Sequence, residues 1–238
     1  TFAKAKQASD FRQRQYEICA QGTGGSYRQP DYGPCFTVAD SSYLVEPIPG
    51  LWLLAVDANV YVPREDADLT NPQSAKNFAG SGDAGYNKML THKQQVVAWM
   101  TSVAMRAKEQ KKTLITFSHF PMVEFDNGAA SDLESIFGKG KFQLKRAPKE
   151  DTSHALAKTG IGVHVGGHMH FYDTGVRKYP DGSLLFNIQA PSMAAYVPAY
   201  KILNFANRSE IDVQTVTLDS VPRFNELFEH YQQEWEHL

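Results

Sequence analysis

Apolar residues along the chain form short continuous runs, separated by one long stretch of helical periodicity. Residues 51–57 and 161–165 are nearly unbroken apolar runs, which are typical of strands buried on both faces of a sheet. Between them lies a helix with the spacing of a capping box at Thr91 and Gln94, followed by a strand at residues 113–117. The apolar positions of this helix recur with a helical period: Val96, Met100, Val103, Ala104 and Ala107.

Other segments extend the pattern in both directions. Further strands are predicted at residues 42–46, 183–188, 200–206 and 210–218, and further helices at residues 9–20, 152–158 and 225–236. The order strand, helix, strand, helix, strand from residue 51 to residue 165 favours an α/β fold. Residues 63–85 are polar and predict a mobile surface loop or a lid over a site. Residues 138–150 are basic and predict a solvated loop.

Composition and charge exclude several classes of protein. The chain has 238 residues, a formal net charge of -2 and a sequence pI of about 6.4. This charge gives no support to binding of a nucleic-acid backbone. No apolar stretch is long enough to span a membrane. The residues that begin the chain do not form a signal peptide, so the localisation stays open, and export of the parent protein is compatible with the sequence.

The two cysteines, Cys19 and Cys35, allow two interpretations. They are too far apart in the sequence for a CxxC motif of the redox or zinc type. They are either two unrelated thiols or a disulfide across the loop between them, and a disulfide would imply an exported parent protein.

Three of the eight histidines lie directly beyond predicted buried strands. His119 follows the strand at residues 113–117, and His168 and His170 follow the strand at residues 161–165. Sites in open α/β sheets form at the carboxyl ends of strands, so we expect these side chains to lie close together. The other five histidines, His92, His154, His164, His230 and His237, are interpreted as structural.

The spacing of His168 and His170 has a physical rationale for metal binding. In extended backbone, residues i and i+2 point to the same face, so both imidazoles can reach one metal or two adjacent metals. Three histidines alone could also make a mononuclear zinc site. A carboxylate partner is less clear, and the nearest candidates are Asp57, Glu124 and Asp126.

These residues resemble motifs of the calcineurin-like metallophosphoesterase family. Gly167-His168-Met169-His170 resembles the closing Gly-His-x-His motif of that family, and Ser118-His119-Phe120-Pro121 resembles the single-histidine motif before it. Weaker similarities involve residues 94–100, 50–57 and 190–196, so that the resemblance covers roughly residues 40–218.

The resemblance implies an α/β fold that is part of a two-sheet sandwich flanked by helices. It implies two divalent metal ions, zinc, iron or manganese, with His119 and His168 on one ion and His170 on the other. Such ions would hold a small phosphate ester and lower the pKa of a bridging water. The implied activity is metal-dependent hydrolysis of phosphate esters.

The N-terminal motifs of the family, Asp-x-His, Gly-Asp-x-x-(Asp/Asn) and Gly-Asn-His-(Asp/Glu), are not found. We therefore expect an incomplete C-terminal portion that lacks N-terminal strands, binds metal weakly or not at all, and is inactive alone. Exposed surface of the truncated domain would allow self-association. The expected organisation is a domain at residues 1–220 and a helical tail at residues 221–238. Two alternatives are a non-catalytic binding module with a remnant metal site and a mononuclear zinc hydrolase.

Overall fold

The computed structural model describes residues 15–27, 31–126, 128–207 and 210–237. The described strands are β1 (Gln15–Cys19), β2 (Gly22–Thr23), β3 (Cys35–Ala39), β4 (Tyr43–Ile48), β5 (Leu51–Ala55), β6 (Thr113–Phe117), β7 (Val163–Gly166), β8 (Thr174–Lys178), β9 (Leu184–Gln189), β10 (Ala199–Asn207) and β11 (Glu210–Thr217). The described α-helices are α1 (Met89–His92), α2 (Gln94–Glu109), α3 (Ala130–Phe137), α4 (Glu150–Lys158) and α5 (Phe228–Glu236). None of them combines the length and the apolar character needed to cross a bilayer.

The fold is α/β, as the sequence predicts. Its largest sheet has the strand order β4-β5-β6-β7-β9-β8. The four inner strands, β5, β6, β7 and β9, run parallel, whereas β4 and β8 run antiparallel to their neighbours at the two edges. Because the inner strands are parallel, their carboxyl ends meet at one edge of the sheet, where α/β proteins form their sites.

Two helices cover the inner strands. The apolar stripe of α2 is buried as predicted, and this helix packs against β6. Helix α4 packs against β8 and β9 and buries Leu156 and Ala157. The predicted capping box is wrong, because the Thr91 hydroxyl donates to the Lys88 carbonyl and Lys93 separates α1 from α2.

Lys93 lies between the two helices, and its side chain enters the core. The ammonium group is fully buried, lies 2.8 Å from Oδ2 of Asp40 and donates to the Asp57 carbonyl at 2.6 Å. Lys93 and Asp40 thus form a buried ion pair. The ring of Tyr16 lies 5.0 Å from the ammonium group. Lys93 thereby ties the loops that follow β3 and β5 to the helix.

The helix predicted at residues 9–20 is wrong where the structure describes it, and residues 9–14 lie outside the described residues. Gln15–Cys19 is β1, the middle strand of a small sheet in the order β2-β1-β3. Tyr16 and Ile18 are both buried, in the alternation typical of a strand. Cys19 and Cys35 are cross-strand partners and form a disulfide, which decides between the two interpretations of the cysteines.

The edge strand β4 is irregular, and the last segments of the chain form a hairpin and a helix. Strand β4 carries Pro47 and an irregular register between Val45 and Ile48, so its pairing with β5 is interrupted near one end. Strands β10 and β11 form a separate two-stranded hairpin. Helix α5 leaves its aromatic side chains exposed, including Trp235 at 79% exposure.

Candidate metal site

His119 and His168 lie side by side at the carboxyl edge of the large sheet. Strand β6 ends at Phe117 and strand β7 at Gly166, and each histidine comes two residues beyond its strand. The two strands are parallel neighbours, which brings the two loops together. Nε2 of His119 lies 3.0 Å from Nδ1 of His168. The two side chains therefore lie close together, as expected from their positions after parallel strands.

The two loops are fastened to each other through backbone contacts. The Gly167 amide donates to the His119 carbonyl at 2.9 Å, and the Ser118 amide donates to the Val165 carbonyl at 3.1 Å. A Cβ atom on Gly166 would lie 3.0 Å from Cα of Pro121, closer than side chains normally approach backbone. Glycine at position 166 therefore permits the close approach on which the histidine pair depends.

A buried polar network supports the turn that carries His119. Ser118 Oγ lies 2.9 Å from Nε2 of His164, and Nδ1 of His164 lies 2.7 Å from Oδ1 of Asn187. The same Asn187 oxygen accepts the Met122 amide at 2.8 Å. Since this oxygen only accepts, Nδ1 of His164 carries the proton. Burial lowers the pKa of His164 to about 4, against the opposing hydrogen bond to Asn187, so the ring is neutral near pH 7.

The arrangement of Ser118, His164 and Asn187 has the connectivity of a nucleophilic triad, but the Ser118 hydroxyl has two further polar neighbours. Besides His164, Ser118 Oγ contacts the hydroxyl of Tyr86 and the carbonyl of Phe120, both at 2.8 Å. The Tyr86 hydroxyl donates to Ser118, whose single proton faces two acceptors, Nε2 of His164 and the Phe120 carbonyl. Ser118 therefore holds the turn in place, and the interpretation of His164 as structural agrees with its surroundings.

His170 does not form a close three-donor group with the pair, and the sequence argument for it fails in one respect. His168 and His170 have φ angles of 67° and 58°, so both adopt left-handed backbone. The segment is therefore turned, and the i, i+2 rule for extended backbone is wrong here. His170 is exposed, while His168 is half-buried.

Potential ligand atoms are sparse around the pair. Within the described parts of the chain, one group of three potential donors has ligand atoms within 4.8 Å of one another: Glu17, Cys19 and Cys35. The disulfide occupies both sulfurs of that group. No described carboxylate, thiol or third imidazole therefore completes a three-donor cluster with His119 and His168.

The surroundings of the pair favour neutral imidazoles. Burial, together with the positive charges of His119, Arg146 and His170, lowers the pKa of His168 to about 4. The pKa of His119 is also lowered, first by burial and then by the charges of His170 and Arg146. Metal binding requires the neutral form of histidine, so both rings are in the required form near pH 7.

Nε2 of His119 and Nδ1 of His168 lie at hydrogen-bond distance, and this separation also matches that of two ligands of one cation. Nitrogens that bind one ion at about 2.1 Å, at angles of roughly 90° to 109°, lie roughly 3.0 to 3.4 Å apart. The observed separation of 3.0 Å falls at the lower end of that range. The far nitrogen of His168 contacts the Gln143 side-chain oxygen at 3.0 Å, the kind of outer contact that metal-binding histidines usually make.

The three candidate carboxylates are engaged elsewhere. Asp57 lines a cavity of about 270 Å³ together with His119, but its carboxylate accepts from the amides of Ser41 and Asn59 at 3.1 and 3.0 Å. Glu124 accepts the amide of Asp126 at 2.6 Å. The pKa of Asp126 is raised by burial and by the charge of Glu124. None of these groups contacts the histidine pair in the structure.

Sequence reasoning missed Gln143 and Arg146, which lie in the segment interpreted as a solvated loop. Arg146 donates to Oε1 of Gln143 at 2.7 Å, and its guanidinium lies 5.7 Å from the centre of the Phe120 ring. The sequence shows the excess of lysine and arginine in this segment, but it does not indicate which of these residues contacts the candidate site.

Comparisons with known proteins give little further information. No protein-family model matches the chain, and no curated protein matches it. Among solved structures, the chain is similar to a dimetal phosphatase from Danio rerio, with 14% sequence identity and a TM-score of 0.42. The match covers 75% of this chain and 60% of that protein.

Proposed function

We propose that the parent protein hydrolyses phosphate esters with the help of divalent metal ions, and that this chain is an incomplete C-terminal portion, inactive alone. In this proposal His119 and His168 bind one ion and His170 binds the other. The observation that carries the proposal is the meeting of two imidazoles, 3.0 Å apart, beyond the ends of parallel strands. The resemblance of both histidine motifs to metallophosphoesterases supports the choice of reaction.

The proposal assigns a task to each residue of the candidate site. When bound, a pair of divalent cations neutralises the charge of a phosphate group and makes a water molecule more acidic. His119 and His168 present ring nitrogens, and the Ser118, His164 and Asn187 network fixes the turn between β6 and Pro121. The guanidinium of Arg146 contributes positive charge beside the pair, which favours an anionic substrate.

Of the two alternatives, the mononuclear zinc hydrolase has less support. A mononuclear zinc hydrolase would need His119, His168 and His170 around one ion, and their donor atoms do not form such a group in the described structure. A non-catalytic module with a remnant site remains the second proposal, because the pair lacks a third donor among the described residues. The metal would be zinc, iron or manganese, since mixed histidine and carboxylate sites accept all three.

The test compares two proteins, the 238-residue chain and the longest protein that its gene encodes. Metal content is measured by mass spectrometry, and hydrolysis is measured with p-nitrophenyl phosphate and bis-p-nitrophenyl phosphate. We expect the longer protein to bind two metal ions and to turn over, and the His168→Ala variant to lose both properties. His230→Ala, a change on the exposed helix α5, is the matched control and should keep both. A longer protein that binds no metal and cleaves neither ester would refute the enzyme proposal and leave the binding module.

A further inference from the structure

The segment after α3 carries unusual backbone that directs one side chain at the histidine pair. Phe142 and Gln143 have φ angles of 49° and 68°, so two consecutive residues other than glycine adopt left-handed conformations. Such conformations cost free energy and persist where surrounding contacts require them. Here the result is that Oε1 of Gln143 lies 3.0 Å from Nε2 of His168.

The chemistry of Arg146 identifies which end of the Gln143 amide faces His168. Arg146 Nη1 lies 2.7 Å from the same atom of Gln143. A guanidinium only donates hydrogen bonds, so the atom that faces it is the amide oxygen and not the amide nitrogen. The opposite orientation would place an NH₂ group against both the guanidinium and the ring.

Arg146 is itself held in place by several contacts. Nη2 donates to the Ser81 carbonyl at 3.0 Å, and the guanidinium lies over the ring of Phe120. The backbone amide of Arg146 donates to the Gln143 carbonyl at 2.8 Å, which closes the turn between them. A rotation of the Gln143 amide would therefore break the contact with an anchored cation.

We infer that Gln143 is a positioning residue that sets the tautomer of His168, and that Arg146 locks Gln143 for this task. The oxygen of Gln143 accepts from Nε2, so the neutral ring carries its proton there and leaves the lone pair of Nδ1 directed at His119. This inference rests on the proposed function only in that Nδ1 is then the atom offered to a metal ion. Outer contacts of this kind typically change metal affinity by about 10- to 100-fold.

The tautomer can be read directly in the metal-free, full chain by long-range ¹H–¹⁵N NMR of the imidazole nitrogens. We expect His168 to be protonated at Nε2 in the unmodified chain and to become a mixture of tautomers in Gln143→Leu, which has no acceptor. Gln143→Glu restores an acceptor and should restore the Nε2 proton. Arg146→Met should also produce a mixture, because the amide is then free to rotate. Gln214→Leu, on the exposed face of β11, is the matched control.

Two results separate this inference from the proposed function. An unchanged His168 tautomer in both Gln143→Leu and Arg146→Met overturns the inference, whatever the chain does with metal. Zinc titration by calorimetry is the second readout, on the longest protein that the gene encodes. Binding that is about 10- to 100-fold weaker in Gln143→Leu supports the inference. Absence of zinc binding in every variant, with the expected tautomer change, refutes the proposed metal site and leaves the positioning role standing.

Discussion

The ammonium group of Lys93 and the carboxylate of Asp40 lie 2.8 Å apart in the core, with the lysine side chain fully buried. Removing one member of a buried ion pair leaves the other charge without compensation. We expect Lys93→Met to lower the free energy of unfolding by about 3 to 5 kcal/mol in urea titrations followed by circular dichroism. Lys108→Met, at an exposed position of the same helix, should change it by less than about 0.5 kcal/mol. Equal effects of the two changes would contradict the ion pair.

Gly166 and Gly167 offer a matched test of the contact between the two histidine loops. A Cβ atom at position 166 would press on Cα of Pro121 at 3.0 Å, whereas one at position 167 would lie 3.5 Å from the His119 carbonyl, an ordinary contact. We expect Gly166→Ala to lower stability by about 1 to 3 kcal/mol and Gly167→Ala to have little effect. If the proposed site is correct, zinc affinity of the longer protein falls in the first variant and not in the second. Identical behaviour of the two variants would show that the loops are not in close contact.

Glu46 gives a prediction for the dependence of stability on pH. The hydrogen bond from Lys112, at 2.6 Å, is the largest of the interactions that lower the pKa of Glu46 from 4.5 to about 2. Because the folded-state pKa is depressed, this stabilisation is present above pH 4.5 and is lost as the pH falls towards 2. We expect Glu46→Gln to be less stable by about 1 kcal/mol at pH 7, with the difference vanishing near pH 2. A difference that stays constant with pH would rule out this origin.

The disulfide between Cys19 and Cys35 joins residues 16 positions apart. A cross-link over a loop of this length stabilises by roughly 3 kcal/mol, mainly because it restricts the unfolded chain. We expect the Cys19→Ala, Cys35→Ala double variant to lose about that amount in urea titrations. Reduction of the unmodified chain should produce the same loss. If reduction left the unfolding midpoint unchanged, the two sulfurs would not be paired in solution.

The central part of the fold could be predicted from the sequence because its hydrophobic patterns are local and strong. The apolar run at β5 and the helical period of α2 both predict their elements to within a few residues. Strand β1 was mistaken for a helix because the segment has only five residues, too few to distinguish the period of a strand from that of a helix. The burial of Lys93 was not predictable, since its charge partner Asp40 lies more than fifty residues earlier in the chain.

The sequence predicts the candidate site only in part, because some of its features depend on unusual backbone conformations. His119 and His168 follow buried strands, and parallel pairing brings strand ends together, so their proximity follows from the α/β pattern. The left-handed backbone at His168 and His170 is not indicated by the residue types of Gly167-His168-Met169-His170. The contact of Gln143 with His168 arises from a turn whose φ angles are unusual for phenylalanine and glutamine.

The irregular end of β4 affects the tendency of the protein to aggregate. An outermost strand with regular free amides and carbonyls is a template on which a second molecule can add its own strand, and repeated addition gives fibrils. Pro47 has no amide hydrogen to offer, and the shifted register between Val45 and Ile48 breaks the regular spacing of the remaining groups. The large sheet is therefore protected against growth from this side at high protein concentration.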